Sequence, residues 1–500
     1  MIVVGTGWGG FSFFSALNPT GLKSLTIISP RNYFLFTPLL PSVTTGTTEP
    51  RSIMEPVRSF VERKRRKYPS VDISFLEMEV KDMDLNGKQA ICEPAVSHPL
   101  ALKSVSLPYD LMVLAPGAKS NNFGTPGVDE YCQYLKEIPQ ARKIRNTILD
   151  AFEAASLCQD AQDRSKLLHF VVVGGGPTGV EFASELTDFI KEDLNRAYPS
   201  LTSQAKVTII QAGDLLLNTY DRAISEFAEE NFKRISINIR KNTAVIEVLA
   251  DSVVVENKST KTREHIPYGV CVWAAGIAPR AITGTVIQRI GNEKQGGRLV
   301  KTDGFMKVQG ADGVYAIGDC SMIETPDLTK NAEMLFQEAD INRDGSVSKT
   351  EAEGMVSKLL AKYPLIDHSG AMAALDDTVA TTKGGFDKET WKLFLKKVTS
   401  NFKSAPATAQ VAQQQGEYLA DLFAGKTSEP WKRVDRGIMS YVGGSKAVMQ
   451  TGFTGAVTGS ATFSLWRGAY ASKLFSWRCK HYVVWDWMKK VMYGRDISRM

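Results

Sequence analysis

Five hundred residues exceed what one ordinary hydrophobic core serves, so the chain is expected to divide into two or three domains. Apolar residues make up 43% and charged residues 23%, which suits a folded protein and excludes a disordered one. The net charge is +6, and no stretch of about eighteen uninterrupted apolar residues offers a membrane-crossing helix. The cysteines Cys92, Cys132, Cys158, Cys271, Cys320 and Cys479 are scattered and form no CxxC pair, which argues against a disulfide framework and a structural zinc site.

The chain opens on Ile2, Val3 and Val4, a short β-branched run. Gly5, Gly7 and Gly10 follow at the spacing of a dinucleotide fingerprint, with Trp8 and Gly9 between them, and Phe11 to Leu17 reads as the opening of a helix. The first glycine permits the tight turn, the second lets the backbone approach a pyrophosphate, and the third lets helix and strand pack closely. Leu25 to Ile28 reads as the next strand. Ser29 stands where such a site usually places an acid for a ribose, and Pro30, Arg31 and Asn32 follow. The apolar run Tyr33 to Pro41 and the hydroxyl-rich Ser42 to Thr48 read either as a packed loop or as a wall beside a bound ring. No cysteine lies between residues 11 and 91, which removes the redox pair of a flavin-dependent disulfide reductase. Arg58 to Tyr68 has the period of a solvated basic helix, and Tyr109 to Ala115 is a buried-type strand ending in Pro116, Gly117 and Ala118. Phe123 to Val128 reads as a domain crossover, and Ile138 to Cys158 as a helix.

A second fingerprint follows. His169 to Val173 is a strand, Gly174, Gly176 and Gly179 repeat the spacing around Pro177 and Thr178, and Val180 to Ile190 continues as a helix. Two such loops, each after a strand and before a helix, point to two dinucleotides on one chain. Gln211 ends the strand Val207 to Ile210, in the position of the ribose acid. A neutral side chain there no longer repels the 2′-phosphate of NADPH, but glutamine can equally bond the ribose of NADH, and both readings stand. Glu181 either suits the helix dipole or lines the pocket where a nicotinamide meets its partner. The strand Val270 to Ala275 leads into Gly276, and Val314 to Ile317 leads into Gly318 and Asp319, where the carboxylate suits either ribityl hydroxyls or a helix cap.

The order of these motifs resembles the two-dinucleotide-binding-domain flavoproteins, and in detail the type II NADH dehydrogenases, single-chain NAD(P)H:quinone oxidoreductases. The residues that carry the likeness are GTGWGG at 5–10, PRNYFLFTPLLPS at 30–42, YDLMVLAPGA at 109–118, GGGPTGVEFASEL at 174–186, WAAGIAP at 273–279, YAIGDCS at 315–321, PATAQVAQQQGEYLA at 406–420 and GRDISR at 494–499. The resemblance implies an α/β fold with two Rossmann-like domains. It implies FAD held by Gly5, Gly7, Trp8, Gly9, Gly10, Ser29, Pro30, Arg31, Thr44, Gly46, Ala115, Gly117, Asp319 and Ala409. It implies NADH or NADPH held by Gly174, Gly176, Pro177, Thr178, Gly179, Gln211, Ala275 and Gly276. Glu181, Gln410 and Gln414 are implied beside the reacting groups. The expected FAD domain covers 1–126 and 291–326, continued by 401–440, and the NAD(P)H domain covers 127–290.

Between Ile323 and Ser404 the pattern changes. Asp340, Asn342, Asp344, Gly345, Ser346, Ser348 and Glu351 fit the twelve-residue loop of an EF-hand position by position, with oxygens at 1, 3, 5, 7, 9 and 12 and the turn glycine at 6. Val347 suits the short β-contact between paired loops. A degenerate partner is expected at 379–390, with Gly384 and Phe386 at the turn and β positions but Val379 and Thr390 at the terminal ligand positions. The expected insertion is a calcium-regulated arm over 327–400.

Pro406 to Leu419 reads as a helix on which Gln410 and Gln414 share a face. On residues alone this is a polar stripe of a packed helix; the family places glutamines here beside quinone and flavin. Gln413 stands where some members have histidine. The glycine-rich Gly437 to Gly459 is expected to line the same site. The tail from Ser464 carries eight basic and two acidic residues and half of the eight tryptophans. Trp466, Ala469, Tyr470, Leu474 and Trp477 recur at helical spacing, which suits amphipathic helices anchoring 441–500 in an anionic membrane interface; core packing or a homodimer face is the alternative. No nucleic-acid role is expected. The terminal Ser498-Arg499-Met500 resembles a peroxisomal address but also fits the family's last motif. No Arg-rich presequence precedes Ile2, so a leader is expected to have been removed or left out, and a peripheral place at the mitochondrial inner membrane is implied by the family alone. The expected activity is rotenone-insensitive transfer from NAD(P)H through FAD to ubiquinone without proton pumping. The alternatives are a calcium-sensing NAD(P)H-binding regulator and a sulfide:quinone reductase, whose only cysteine candidates are Cys158 and Cys320.

Overall fold

The two fingerprint strands each become the centre of a parallel sheet. The structure, a computed structural model, describes every residue except 97–102, 292–296, 325–326, 364, 367, 382–384, 401, 403–404, 452–454 and 500. The chain divides into two units, one formed by Met1–Phe34, Pro56–Ala118 and Pro279–Val434, the other by Leu35–Glu55, Lys119–Ala278 and Asp435–Met500.

In the first unit a five-stranded parallel sheet runs Val314–Ala316, Met112–Leu114, Ile2–Val4, Ser24–Ile28, Asp72–Leu76. Ile2 pairs with Thr26 on one side and Met112 on the other, so the first fingerprint leaves the middle of the sheet. The central strands Ile2–Val4 and Met112–Leu114 are buried throughout and therefore read as continuous apolar runs, whereas the edge strand Asp72–Leu76 alternates. The helix Trp8–Ala16 packs on Ala409–Phe423. That approach needs Gly416, where a Cβ would lie 2.4 Å from the Gly9 carbonyl oxygen. The same unit carries the helices Ala332–Ala339, Lys349–Lys362, His368–Thr381 and Lys388–Ser400 around a core that includes Phe336, Phe386, Trp391 and Phe394.

In the second unit the parallel sheet runs Gln133–Tyr134, Val270–Trp273, His169–Val173, Lys206–Ile210, Ile237–Arg240. Its fingerprint helix, Pro177–Phe189, continues into a π-helical turn at Ile190–Leu194. Gly437 to Gly459, the glycine-rich stretch, is mostly a three-stranded antiparallel sheet of Ile438–Gly443, Lys446–Thr451 and Gly455–Gly459. The helical stripe expected from Trp466 to Trp477 is broken. Ser460–Lys473 ends before Leu474, and Ser476 caps a new helix, Trp477–Tyr493, by accepting the Cys479 amide at 3.2 Å.

The units are not bounded where the sequence suggested. The crossings fall at Ala118/Lys119 and Ala278/Pro279, ahead of 126/127 and 290/291. The cause is local: the Asn121 amide donates to the Gly276 carbonyl at 3.0 Å, and the Trp273 indole donates to the Asn121 carbonyl at 2.8 Å. Leu35–Glu55 leaves the first unit for the second because its hydroxyls are spent on Glu185 of the second fingerprint helix.

Candidate functional site

The two glycine loops divide their labour in the same way. In the first, Gly5 has φ +100°, and a Cβ there would sit 2.1 Å from the Ala115 carbonyl oxygen; a Cβ on Gly10 would sit 2.1 Å from the oxygen of Gly5. In the second, a Cβ on Gly174 would sit 2.5 Å from the Ala274 oxygen, and one on Gly179 would sit 2.0 Å from the oxygen of Gly174. These four glycines are required by the protein's own backbone. Gly7 and Gly176 are not, for a Cβ on either meets nothing within 4 Å. Both are the N-caps of their helices in extended backbone, with φ −78° and −75°. A glycine that no neighbour requires, as the extended cap of a helix N-terminus, fits the close approach of a pyrophosphate. The flanking Trp8, Pro177 and Thr178 are partly or fully accessible, while Gly9, Gly10 and Gly179 are buried.

Around the first loop, Ser29 is buried, shares a 2.9 Å hydrogen bond with Thr6 and accepts the Arg31 amide at 3.2 Å. Its hydroxyl therefore braces the loop and keeps one further acceptor position. Pro30 is exposed, and the Arg31 guanidinium donates to the Tyr33 carbonyl at 3.1 Å. Trp8 meets Phe34 edge-on at 5.0 Å. Ala115 closes under Gly5, and Gly117 turns with φ +70°. Gly318–Cys320 forms a single 3-10 turn holding Asp319 half-buried. The turn is fixed from the Ala409–Phe423 helix, where the Gln415 carbonyl oxygen accepts the Gly318 amide at 2.7 Å. Sequence reasoning passed over Gln415, which points at the Gly-Asp corner from inside the quoted QQQ run. Ala409 is the first residue of that helix, behind the Thr408 cap. Gln410 is half-buried, whereas Gln414 is buried with both ends of its amide bonded to the backbone of Val434, at 2.8 and 2.9 Å. Thr44 and Gly46 stand in the second unit, apart in this division from the other residues expected at FAD. Thr44 is fully buried and donates to the Pro41 carbonyl at 2.6 Å. Gly46 has φ +76°, and a Cβ on it would come 3.0 Å from the Arg145 guanidinium.

Around the second loop, Gln211 is committed to the backbone. Its oxygen accepts the Gly175 amide at 2.9 Å and its nitrogen donates to the Leu215 carbonyl at 3.2 Å. Ala275 and Gly276 follow the Val270–Trp273 strand and remain half-buried.

The helix Pro177–Phe189 then turns a row of carboxyl groups inward. Glu181, Glu185 and Asp188, one helical face apart, are 6%, 4% and 5% exposed. Glu185 accepts from Ser42 and Thr47 at 2.7 Å each and from Thr45 at 3.2 Å. Arg495 reaches it at 3.5 Å and also pairs with Asp193 at 2.8 Å and Glu192 at 2.7 Å. Asp188 accepts from the Tyr441 hydroxyl and from the Gly444 amide at 3.1 Å. Glu181 accepts the Tyr441 amide at 3.3 Å, with the Ser440 hydroxyl beside it, and makes no ion pair among the described residues. Burial pushes its carboxyl up to about 8 and that of Asp188 up to about 6. Glu181 is therefore a protonated carboxyl at neutral pH that ionises just above it, a poise suited to giving and taking a proton. Glu185, Asp188, Tyr441 and Arg495 were missed. The three-and-four spacing inside VEFASELTD was the available signal; the partners came from distant segments.

In the inserted helices, Val347 and Phe386 exchange backbone hydrogen bonds at 3.0 and 2.8 Å. Gly345 turns with φ +85°, and the Asp344 and Gly345 amides donate to Asp340 at 3.1 and 3.0 Å. The Ser346 amide donates to Asp344 at 2.8 Å, and Asn342 donates to the same carboxylate at 2.8 Å. Glu351 spends its oxygens on the Ile341 and Ser348 amides, at 2.9 Å each, and on the Ser348 hydroxyl at 2.7 Å. No three His, Cys, Asp or Glu side chains converge as a metal set among the described residues. Of the degenerate second loop, Val379 is still helical in His368–Thr381, and Gly384 lies outside the described residues.

The tail faces both ways. Trp466 and Leu474 are buried at 3% and 4%, so they pack in the core. The Trp477–Tyr493 helix buries Cys479, Val483, Asp486 and Trp487, with Asp486 accepting from the Glu49 amide at 2.9 Å and Ser52 at 2.6 Å. Trp477, Trp485, Met488, Val491 and Met492 are exposed. No helix among the described residues is long and apolar enough to cross a membrane. All six cysteines are free; Cys132 lies 3.2 Å from Cys271, Cys158 is half-buried and Cys320 is buried.

A family model described as pyridine nucleotide-disulphide oxidoreductase matches residues 1–335, and one described as the NDH2 C-terminal domain matches residues 436–496. The chain is 38% identical over 528 residues to the mitochondrial external alternative NAD(P)H-ubiquinone oxidoreductase B1 of Solanum tuberosum, covering 100% of this chain and 90% of that protein. It is 34% identical over 513 residues to the mitochondrial external alternative NADH-ubiquinone oxidoreductase of Yarrowia lipolytica, covering 100% and 80%. Its fold is similar to NDH2 from Plasmodium falciparum solved in complex with NADH, with a TM-score of 0.89, 30% identity and 99% of each chain covered.

Proposed function

Because the chain belongs to the pyridine nucleotide-disulphide oxidoreductases, and among them to the type II NADH dehydrogenases, we propose that it is a non-proton-pumping NAD(P)H:ubiquinone oxidoreductase at the mitochondrial inner membrane. The observation that carries this is the pair of fingerprints whose middle glycines no protein atom requires. FAD is assigned to the first, with Gly5, Gly7, Trp8, Gly9, Gly10, Ser29, Pro30, Arg31, Ala115, Gly117, Asp319 and Ala409; Thr44 and Gly46 act on this reading through loop geometry. NADH or NADPH is assigned to the second, with Gly174, Gly176, Pro177, Thr178, Gly179, Gln211, Ala275 and Gly276. When bound, the flavin accepts a hydride from the nicotinamide and passes two electrons to the quinone. The protein's own part is placement and proton management. The two helix N-termini, each capped by a glycine that leaves room for close approach, hold the pyrophosphates, and Gln415 fixes the turn that presents Asp319 to hydroxyls. Glu181, on the second fingerprint helix, is assigned to the nicotinamide pocket and holds a proton near neutral pH. Gln410 is assigned to the quinone, and Gln414 supports its helix by clipping Val434.

Two finer assignments belong to the same reading. The loop 340–351 has the donor set and turn glycine of a calcium site, and binding there would exchange the amide partners of Glu351 for the cation. The outward face of Trp477–Tyr493, with its flanking lysines, suits an anionic lipid interface. The deciding experiment is anaerobic stopped-flow reduction of the flavin by NADH and NADPH, followed by reoxidation with a short-chain quinone, with and without calcium. Fast reduction and reoxidation are expected. A protein that binds nucleotide but turns over no faster than free flavin refutes the enzyme reading. Sedimentation with anionic vesicles reads the anchor, and Trp477→Ala with Trp485→Ala is expected to weaken it; a shift of oligomeric state in place of vesicle binding makes the face a homodimer contact instead.

A further inference from the structure

Phe123 is a bulky aromatic residue held in the left-handed region, with φ +54°. Non-glycine residues of this kind adopt such a backbone only where their surroundings impose it. The imposition is visible. The Phe123 amide donates to the Asn121 side chain at 2.9 Å, and the Gly124 amide donates to that of Asn122 at 3.0 Å. Asn121 is itself pinned to the end of the Val270–Trp273 strand, through its amide to the Gly276 carbonyl and its carbonyl to the Trp273 indole. The outcome of this bracing is a phenylalanine that is 62% exposed. Its Cζ edge rests on Gly276, where a Cβ would lie only 2.8 Å away. Neither packing nor solvation of the ring accounts for a loop built to hold it out.

Its place in the sheet does. His169–Val173 is flanked by Lys206–Ile210 on one side and Val270–Trp273 on the other. Strand order therefore reverses between the fingerprint strand and Val270–Trp273, which is where a doubly wound sheet opens its ligand crevice. Gln211, in the ribose position, ends the strand on one side of the glycine loop. On the other side Gly174 packs against Ala274 and Ala275, Gly276 comes next, and Phe123 stands on Gly276. A dinucleotide whose pyrophosphate lies on the loop, with its adenosine ribose towards Gln211, carries its nicotinamide half towards Phe123.

We infer that Phe123 is a specificity-determining platform for the nicotinamide ring of the dinucleotide, held ready by Asn121 and Asn122, with Gly276 kept small to seat it. This rests on the reading that the second fingerprint holds NAD(P)H. The test is calorimetric titration of the FAD-loaded protein with NAD⁺ and with ADP-ribose, which shares everything except the nicotinamide. Phe123→Ala is expected to raise the Kd for NAD⁺ by roughly tenfold, in the range of base–aromatic stacking, and to leave ADP-ribose within about twofold. Phe123→Tyr keeps both. Gly276→Ala, which displaces the ring without removing it, repeats the selective loss for NAD⁺. Equal weakening of both ligands by Phe123→Ala, or no weakening of either, overturns the inference while leaving the site intact. Failure of the unaltered protein to bind either ligand overturns the assignment of the second fingerprint itself.

Discussion

The glycines of the second fingerprint make opposite predictions from the same substitution. Gly179→Ala places a methyl 2.0 Å from the Gly174 carbonyl oxygen, against an ordinary C···O contact of roughly 3.4 Å, so the helix must move by about 1.4 Å. Overpacking of that kind costs about 1–3 kcal/mol. At about 2–4 °C per kcal/mol for a unit of this size, the melting temperature should fall by about 2–12 °C. Gly176→Ala places its methyl in open space on a backbone of φ −75° and ψ 177° that alanine adopts without strain. It should leave stability unchanged or raise it by up to about 1 kcal/mol, because the unfolded chain loses freedom. Yet its methyl stands where the pyrophosphate must approach, and ADP-ribose affinity should drop at least about tenfold, or about 1.4 kcal/mol. Calorimetry with ADP-ribose and thermal unfolding followed by near-UV circular dichroism read the two effects separately. A Gly176→Ala protein that binds ADP-ribose normally refutes the assignment of the loop, and a Gly179→Ala protein that melts like the parent refutes the packing argument.

Glu181→Gln should flatten the pH dependence of stability. The carboxyl is raised from 4.5 to about 8 in the folded state, so its stability contribution is full below the unfolded value and is lost as pH rises through about 8. The parent should therefore lose up to a few kcal/mol between about pH 5 and 8 relative to the variant, measured by urea unfolding at stepped pH; parallel curves would count against a buried neutral Glu181. Arg495→Met strips the cation from Glu185 and Asp193, both about 5% exposed, and should cost about 3–5 kcal/mol, or about 6–20 °C in melting temperature. A loss of less than about 1 kcal/mol would place that network among surface ion pairs. Calcium should shift the fluorescence of the buried Trp391 in the inserted helices with a midpoint on the order of 10⁻⁷–10⁻⁵ M, and Glu351→Gln should abolish the shift. A response that survives Glu351→Gln rules out that loop as its source.

What could be read from the chain was what the chain does locally. Strand, glycine turn and helix lie within twenty residues of one another, and His169–Val173 falls where the β-branched run placed it. The helices around the 340–351 loop were legible for the same reason, since capping and turn glycine are set by near neighbours. What was not legible depends on partners far apart in sequence. Gln414 shares a face with Gln410, which the sequence shows, but the sequence does not show that Val434, twenty residues on, pairs with both ends of its amide. Gln211 holds the ribose position in the sequence, and only the fold shows that its oxygen also accepts the Gly175 amide. Thr44 and Gly46 looked like part of a flavin wall, and the same segment delivers Ser42, Thr45 and Thr47 to Glu185. Arg495 supplies the sharpest case. In sequence it is one more positive charge in a basic tail that suggests lipid. In the structure its side chain is 2% exposed and neutralises Glu185 and Asp193, leaving Glu181, four residues before Glu185, without a cation. A tail that compensates one member of a carboxyl row and not the next sets them apart chemically: Glu185 has a cation, whereas Glu181 is kept neutral. The proton-holding property of the site is thus written in the last residues of the chain as much as in the fingerprint helix.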